Sequence, residues 1–316
     1  MRVSLNGKLL LQKLTHSLGT ANDRPWANPV IRQYLVRSKK INRSFRIVHL
    51  SDLHCCYYGA HQERLCRLID QVKPDLICMT GDMLEPKFSP GAAGDLFSYV
   101  AEKYPCYFVT GNHEYNYRNY QAAKAYVRSF GICVLDDGGE WVTVGKAYNR
   151  KVYNTRGEKF HNTAVRTLDS GRNWSGQEIY ICGIDDPTAP NKNWKRRLYQ
   201  AAAAAGADPA RFTLFLTHRP ERAALYAKLP FDLVLSGHAH GGQWRLPGLG
   251  GGLFAPCQGL FPKYAGGRYD FGAQTHINSR GLAYYVPVPR FFNPVEFGVI
   301  DVVPVCGNLA DHHQSI

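Results

Sequence analysis

Six short apolar runs in this chain each end in a cluster of polar residues, and this repetition constrains the fold more than any other feature of the sequence. The runs cover residues 45–50, 75–79, 106–109, 179–184, 212–216 and 232–235. Stretches with apolar residues at helical spacing cover residues 62–72, 94–103, 119–130, 194–205 and 221–228. Strands that alternate with helices predict an α/β fold. The later runs 275–278 and 296–303 have no helix between them, which predicts antiparallel or mixed pairing in the second half of the chain.

The polar residues at the predicted strand ends are of the types that bind hard or borderline metal ions. In chain order they are Asp52, His54, Asp82, Asn112, His113, His218, His238 and His240. The carboxyl ends of strands in an α/β sheet border a common crevice, so one cavity could hold them all. Carboxylate, imidazole and amide donors without cysteine suit Mn²⁺, Fe or Zn²⁺. These are too many donors for one ion, and seven ligands with one shared carboxylate can hold two ions about 3.5–4 Å apart around a phosphate.

Two pairs among these residues are spaced two positions apart. Asp52 and His54 form one pair, and His238 and His240 form the other. In an extended segment, side chains at this spacing point to the same face. We therefore expect extended backbone at both pairs. His49 alternates away from this face and is interpreted as a structural histidine.

The net charge of +13 is concentrated near the start of the chain. Residues 1–46 contain ten Lys or Arg against one acid, Asp23, and residues 1–44 are predicted to form a basic leader. Such a segment can be attracted to an anionic membrane surface or to nucleic acid, or it can be a solvated arm without a partner. The sequence has no aromatic and basic nucleic-acid motif, so nucleic acid is not the expected partner, and no protein partner is inferred.

The sequence predicts neither a membrane span nor export. It contains no run of about 18 apolar residues, and Lys8 and Lys13 interrupt the first apolar stretch, unlike a secretory signal. The nine cysteines are scattered without a CxxC pair, which is typical of a reducing compartment. The chain is therefore predicted to be cytoplasmic, with peripheral contact to an anionic membrane as an open alternative.

Five motifs in fixed order carry a family resemblance. SDLH, TGD, TGNHE, TH and SGHAHGG resemble the motifs of the calcineurin-like metallophosphoesterase superfamily, across most of residues 45–303. GIDDP, HRPE and GHAHGGQWRLP further resemble its bacterial membrane-associated subfamily. The resemblance implies a four-layer αββα sandwich, in which two mixed sheets lie face to face with helices outside.

The same resemblance implies a role for each residue at the strand ends. Carried over by position, one divalent ion is bound by Asp52, His54 and His240, the other by Asn112, His218 and His238, and Asp82 bridges them. His113 matches the catalytic histidine that contacts the phosphoryl group without binding metal. Two ions, with Mn²⁺ expected first and Fe or Zn²⁺ as alternatives, would support hydrolysis of a phosphodiester or pyrophosphate bond by a metal-bridging hydroxide.

The resemblance also sets the predicted domain limits. Residues 45–306 are predicted to form the metallophosphoesterase catalytic domain, followed by a tail at 307–316. Within the domain, residues 145–177 are basic and without clear periodicity, which indicates an insertion. Residues 244–271 are rich in Gly and Pro but also in apolar side chains, so this loop could bind an apolar substrate or pack over the core of the domain.

The sequence is consistent with three functions. The first is hydrolysis of a phosphodiester or pyrophosphate bond, with a lipid-linked substrate suggested by the apolar loop at 244–271 and the basic leader. The second is a nuclease or nucleotide phosphodiesterase, supported by the positive charge. The third is a non-catalytic scaffold with the same fold, and the presence of all eight strand-end residues argues against it.

Overall fold

Two β-sheets form the centre of the fold. The computed structural model describes residues 28–116, 119–144, 149–151, 176–189, 193–245, 251–284 and 290–305. In spatial order, the first sheet contains β1 (Val30–Ser38), β15 (Glu296–Pro304), β2 (Phe45–Leu50), β3 (Leu76–Met79), β4 (Cys106–Phe108) and β5 (Cys133–Val134). Neighbouring strands are parallel except β15 and β2, which are antiparallel.

The second sheet is also mixed. In spatial order it contains β13 (Gly267–Phe271), β14 (Gln274–Asn278), β10 (Leu233–Ser236), β9 (Phe212–Leu216), β8 (Gln177–Gly183), β6 (Gly139–Val144) and β7 (Asn149–Lys151). Its central strands β14, β10, β9 and β8 are parallel, and antiparallel partners flank them on both sides. A separate hairpin pairs β11 (Phe254–Ala255) with β12 (Gly259–Leu260).

The described helices are mostly short. They are α1 (Glu63–Val72), α2 (Gly91–Lys103), α3 (Asn112–Tyr115), α4 (Tyr120–Ser129), α5 (Trp194–Ala205) and α6 (Ala223–Tyr226). Single 3₁₀ turns lie at Ala60–Gln62, Pro220–Arg222 and His240–Gly242. In the part of the chain that the structure describes, none of the helices is long and apolar enough to cross a membrane.

The apolar side chains divide the molecule into layers. Ile47 of β2 is buried in a cluster with Leu214 of β9, so the two sheets share one apolar core. The next residue, Val48, joins Phe97 of α2 in a second cluster on the other face of the first sheet. On the outer face of the second sheet, Phe215 packs with residues of α5. This alternation along each strand gives the order helix, sheet, sheet, helix, and it confirms the predicted four-layer sandwich.

The first strand lies inside the segment predicted as a basic leader. Val30–Ser38 pairs along its length with Glu296–Pro304, and Val36 is buried in the core between the sheets. The folded part therefore includes Val30 and does not begin at residue 45. Because Arg32 and Arg37 interrupt the apolar residues of this edge strand, its sequence resembles a charged arm. Residues 1–27 of the predicted leader lie outside the described residues.

Two other predicted segments lie partly or wholly outside the described residues. Of the insertion at 145–177, the structure describes 149–151 and 176–177, and the tail at 307–316 lies outside the described residues. The predicted loop at 244–271 is more regular than expected, because it contains the β11–β12 hairpin and β13.

Two buried histidines should make the stability of the fold sensitive to pH. His49 Nε2 lies 2.8 Å from Thr80 Oγ1, and His276 Nε2 lies 2.7 Å from Ser236 Oγ. Burial lowers the pKa of each to about 3. Each neutral, buried histidine therefore stabilises the fold fully above pH 6.5, the usual histidine pKa. This stabilisation is lost as the pH falls towards 3, because the unfolded chain takes up protons that the folded chain does not. We expect the free energy of unfolding to fall by roughly 1–2 kcal/mol per histidine between pH 7 and pH 5.

Urea denaturation at the two pH values measures this effect. The variants His49→Gln and His276→Gln should each show a smaller fall than the unmodified chain. His61→Gln is the matched control, because 89% of the His61 side chain is exposed. If the free energy of unfolding fell by the same amount in all four proteins, the effect could not come from His49 and His276.

Candidate metal centre

The fold brings the eight predicted site residues to one end of the two sheets. There are three groups of side chains in which the ligand atoms all lie within 4.8 Å of one another. They are Asp52, His54 and His240; Asp82, His218 and His238; and His54, Asp82 and His113. Because the groups share His54 and Asp82, they form one continuous cluster. Asn112, at the start of α3, precedes His113 directly.

The backbone at these positions is not extended as predicted. Asp52, His54, His238 and His240 have φ angles of 52°, 44°, 68° and 47°, in the left-handed region that non-glycine residues rarely adopt. The strands end before these residues, and the chain then turns through hydrogen bonds between loops, such as the one that the His238 amide donates to Asp52 Oδ1 at 3.0 Å. Each such residue costs about 1–3 kcal/mol. Left-handed backbone, held by neighbouring loops, therefore replaces the expected strand alternation.

Asp82 is the carboxylate that joins the groups. Its Oδ2 lies 3.1 Å from His218 Nε2 and 3.8 Å from His54 Nε2, and its Oδ1 accepts a 2.8 Å hydrogen bond from the amide of His113. Burial alone would raise the pKa of Asp82, but the neighbouring histidines, His218 first, hold it well below its usual range. Asp82 therefore carries a negative charge at the centre of the cluster.

Two neighbouring histidines of the cluster, His218 and His238, have opposite pKa shifts. His218 Nε2 lies 3.1 Å from His238 Nδ1. Burial disfavours the charged form of both, but the Asp82 carboxylate overcomes this at His218 and raises its pKa to about 10. Burial and the nearby charges of His218 and Arg219 lower the pKa of His238 to about 2. A cation bound between them would replace the proton that His218 carries.

Buried polar atoms without partners indicate that the residues fit a metal ion. His54 Nε2 and Asn112 Oδ1 are buried, and neither has a hydrogen-bond partner among the described residues. The other ring nitrogen of His54, Nδ1, lies 3.3 Å from Glu85 Oε2, which leaves Nε2 with a free lone pair when Nδ1 carries the proton. Orphaned imidazole and amide atoms beside two carboxylates are the donor set expected for divalent ions of the Mn²⁺, Fe or Zn²⁺ type.

Glu85 is a site residue that the sequence analysis missed. Its Oε2 lies 2.7 Å from His113 Nδ1 as well as 3.3 Å from His54 Nδ1. Burial would raise the pKa of Glu85, but its contacts with His113 and His54 hold it well below the usual range. The available signal was its position three residues after Asp82, in the same loop. Glu85 therefore orients one predicted metal ligand and the predicted catalytic histidine together.

Replacing Glu85 by glutamine should test this orienting role. The amide keeps the shape but removes the charge that holds both imidazole rings, so we expect kcat to fall by roughly 10- to 100-fold. Glu85→Asp, which keeps the charge, should lose less. Metal content measured on the same preparations separates loss of the ion from loss of orientation of His113. Unchanged kcat in Glu85→Gln would contradict the role.

Two further carboxylates support the cluster. Glu114 is fully buried and accepts hydrogen bonds from the amides of Asp82, Leu84 and Gly111 at 2.7–3.0 Å, so it fixes two ligand loops. Asp186 accepts a 2.8 Å hydrogen bond from Arg219 Nη2. Glu114 is therefore an orienting residue, because it holds the loops that carry Asp82 and Asn112.

Exposed apolar side chains lie in two segments that contact the site, one through Cys257 and the other through Arg290. We call this surface the aromatic rim, and its members are Trp244, Phe254, Leu260, Phe261, Phe291 and Phe292, which are 38–72% exposed. The Trp244 and Phe291 rings meet edge to face at 5.4 Å. The turn of the β11–β12 hairpin reaches the site, because Arg219 Nη1 contacts both Cys257 Sγ at 3.1 Å and His238 Nε2 at 2.9 Å. The predicted loop at 244–271 therefore borders the cluster.

Comparison with known proteins identifies relatives of the chain. An uncharacterized metallophosphoesterase of Campylobacter jejuni is 27% identical over 289 residues, which cover 87% of this chain and 63% of the relative. The phosphodiesterase YaeI of Escherichia coli is 28% identical over 261 residues, 80% of each chain. A Bos taurus protein described as a transmembrane protein with a metallophosphoesterase domain is 26% identical and matches 77% of this chain and 49% of its own length. The chain thus spans less than two thirds of some of these relatives.

A solved structure and a family profile complete the comparison. The NAD nucleotidase of Haemophilus influenzae superposes with a TM-score of 0.45 at 13% identity, and the match covers 76% of this chain and 51% of that one. The profile of the calcineurin-like phosphoesterases matches residues 45–242, which contain all eight predicted site residues. The chain belongs to the calcineurin-like phosphoesterase family, a family of metal-dependent phosphoric ester hydrolases.

Proposed function

We propose that the chain is a binuclear metal phosphoesterase that hydrolyses a phosphodiester or pyrophosphate bond. The observation that supports this most strongly is the continuity of the three side-chain groups through His54 and Asp82. In this proposal Asp52, His54 and His240 hold one ion. Asn112, His218 and His238 hold the other, and Asp82 contacts both. Two bound divalent ions would supply positive charge for the phosphate and a water molecule that loses a proton near neutral pH.

His113 is proposed to donate a proton to the leaving oxygen. Its side chain is 28% exposed, whereas those of His54, His218 and His240 are at most 9% exposed, so it is the histidine of the cluster most open to substrate. Burial would lower the pKa of His113, but its contact with Glu85 and the nearby Asp82 charge raise it above the usual histidine value. A histidine whose pKa is raised, beside a reacting phosphate, is suited to general acid catalysis.

The aromatic rim supports an amphiphilic substrate. Phe261 and Phe292 are 72% and 71% exposed. Phe292 lies two residues after Arg290, which contacts His240, and Phe261 lies four residues after Cys257, which contacts Arg219. A substrate with an apolar group next to its phosphate would cover these side chains as it binds. We propose a lipid-linked phosphoester, with peripheral contact to an anionic membrane as the way in which the enzyme meets it.

A screen of substrates tests the proposed function. The full chain is loaded with Mn²⁺, Fe²⁺ or Zn²⁺ and assayed against bis(p-nitrophenyl) phosphate, phosphomonoesters, nucleotides, nucleoside-diphosphate lipids and single-stranded DNA. We expect metal-dependent cleavage of diesters or diphosphates and little cleavage of monoesters. Hydrolysis of DNA with strongly salt-sensitive binding would favour the nuclease alternative. Absence of hydrolysis with every metal and substrate would favour a scaffold.

A further inference from the structure

One arginine borders the cluster without a carboxylate partner. Arg290 Nη2 lies 3.2 Å from His240 Nδ1. The Nε and Nη1 atoms of Arg290 are buried and have no hydrogen-bond partner in the described part of the chain. Within that part, Arg290 also has no carboxylate at ion-pair distance, although Glu296, on the strand that follows, pairs with Arg32 at 3.1 Å.

The other arginine at the site, Arg219, has its positive charge balanced by a carboxylate of the chain. Arg219 Nη1 lies 2.9 Å from His238 Nε2, so it contacts a site histidine as Arg290 does. Arg219 also forms a two-point ion pair with Asp186 through Nε and Nη2. A buried guanidinium is costly unless an anion pairs with it. Arg219 has such an anion within the chain, and Arg290 is placed to receive one from a ligand.

The position of Arg290 indicates which part of a ligand it can reach. Nε2 of His240 lies 3.6 Å from Asp52 Oδ1, on the side of the cluster, whereas Nδ1 faces Arg290. The guanidinium therefore lies beyond the outer edge of the His240 ring, one ring away from the group formed by Asp52, His54 and His240. A reacting phosphate would lie against those ligands. A second anionic group attached to that phosphate would extend to Arg290.

We propose that Arg290 binds the second phosphate of a diphosphate diester, and that diphosphate diesters are the substrate class of this site. The inference rests on the phosphoesterase function proposed above. The planar guanidinium presents donors that match two oxygens of one phosphate. Phe291 and Phe292 follow Arg290 in the chain and belong to the aromatic rim, so the organic group on the second phosphate would lie against apolar side chains.

The reaction needs water as its only co-reactant. The oxygen of water forms a bond to the phosphorus at the cluster, and the bridging P–O bond breaks with its electron pair passing to the bridging oxygen. The second phosphate leaves as a phosphomonoester, the first becomes another, and the two protons of water pass to product oxygens or to solvent. Arg290 stabilises the negative charge that this cleavage adds to the leaving phosphate.

Calorimetric titration of the full chain tests the assignment without requiring turnover. The probes are methylenediphosphonate, which has two phosphorus groups and no hydrolysable bridge, and methylphosphonate, which has one. Both are titrated with and without saturating Mn²⁺. In Arg290→Gln the affinity for the diphosphonate should fall roughly 10- to 100-fold, as expected for loss of charge-assisted hydrogen bonds, while that for methylphosphonate changes by less than about threefold.

Two further variants sharpen the comparison. Arg290→Lys keeps the charge but not the two-point geometry, so it should lose only part of the diphosphonate affinity. Arg67→Gln replaces an exposed arginine of α1 and should leave both affinities unchanged. Circular dichroism and the thermal midpoint report whether Arg290→Gln folds. If it does not, the partial and selective loss in Arg290→Lys carries the test.

The possible outcomes separate this inference from the proposed function. Equal losses for both probes, or no loss for either, would overturn the role of Arg290. A chain that binds the diphosphonate through Arg290 but hydrolyses nothing would contradict the phosphoesterase function and leave this binding site in place. A chain that cleaves diesters but shows no selective dependence on Arg290 would overturn only the present inference.

Discussion

Replacing Asp82 by asparagine should lower kcat for bis(p-nitrophenyl) phosphate on the order of 10³-fold or more. Asp82 Oδ2 lies 3.1 Å from His218 Nε2 and 3.8 Å from His54 Nε2, so this one carboxylate lies beside a proposed ligand of each ion. Its Oδ1 also holds the amide of His113 at 2.8 Å. The amide of asparagine preserves the shape but removes the charge between the groups, so we expect loss of both bound metal and activity.

The control for this variant is the same substitution at an aspartate away from the site. Asp95 lies in α2 and pairs with the exposed His61 at 3.2 Å. Asp95→Asn should keep kcat within about twofold, because surface ion pairs contribute little. Steady-state kinetics and metal analysis on the same preparations measure the effect. Near-normal activity in Asp82→Asn would contradict the shared-carboxylate arrangement.

Replacing His113 by glutamine should lower kcat by about 10²- to 10⁴-fold while leaving the metal content unchanged. His113 lies beside the proposed ligands, with its Nδ1 2.7 Å from Glu85, but it is not assigned as a ligand. If it donates a proton to the leaving oxygen, the loss should depend on the leaving group. An alkoxide leaving group needs that proton much more than p-nitrophenolate does. The kcat should therefore fall more for an alkyl phosphodiester than for bis(p-nitrophenyl) phosphate.

Kinetics with the two classes of ester test the role of His113 directly. His61→Gln is the control, because its side chain is 89% exposed and lies away from the cluster. Equal losses for both leaving groups would show that His113 acts through its charge alone. Loss of metal together with activity would instead place it among the ligands.

The sequence allowed the architecture to be predicted because burial imposes a period on each element. The runs at 45–50, 212–216 and 232–235 each became a strand close to the predicted limits. Val30–Ser38 escaped prediction because an edge strand alternates charged and apolar side chains, as a solvated arm also can. The family match confirms the predicted phosphoesterase family, and its range of 45–242 omits this first strand.

The sequence predicted where the site lies but not the backbone conformation of its residues. Strand ends in an α/β fold meet at one edge, so the eight residues were expected to come together. Seven of them make up the three groups of the cluster, and Asn112 directly precedes one of these seven, His113. Their roles as ligands and as catalytic acid remain predictions. The left-handed backbone at Asp52 and His238 could not be predicted, because it depends on hydrogen bonds between loops distant in sequence.

Residues that support the site also could not be predicted, because they too depend on contacts that form only in the folded chain. Glu85 lies in a loop without periodicity, and Arg290 is 50 positions from the histidine that it contacts. Neither lies in a strand-end cluster of the kind that identified the other site residues. Only the folded chain brings such residues to the ligands. Supporting residues are therefore harder to read from one sequence than the ligands themselves.

A metal titration tests the claim that this cluster is a two-metal centre for hydrolysis. The chain is freed of metal by chelation and titrated with Mn²⁺, while bound Mn²⁺ and hydrolysis of bis(p-nitrophenyl) phosphate are measured in the same samples. We predict no activity without metal and full activity once two ions are bound per chain. Full activity with one bound ion, or activity that persists in the metal-free chain, would contradict the claim.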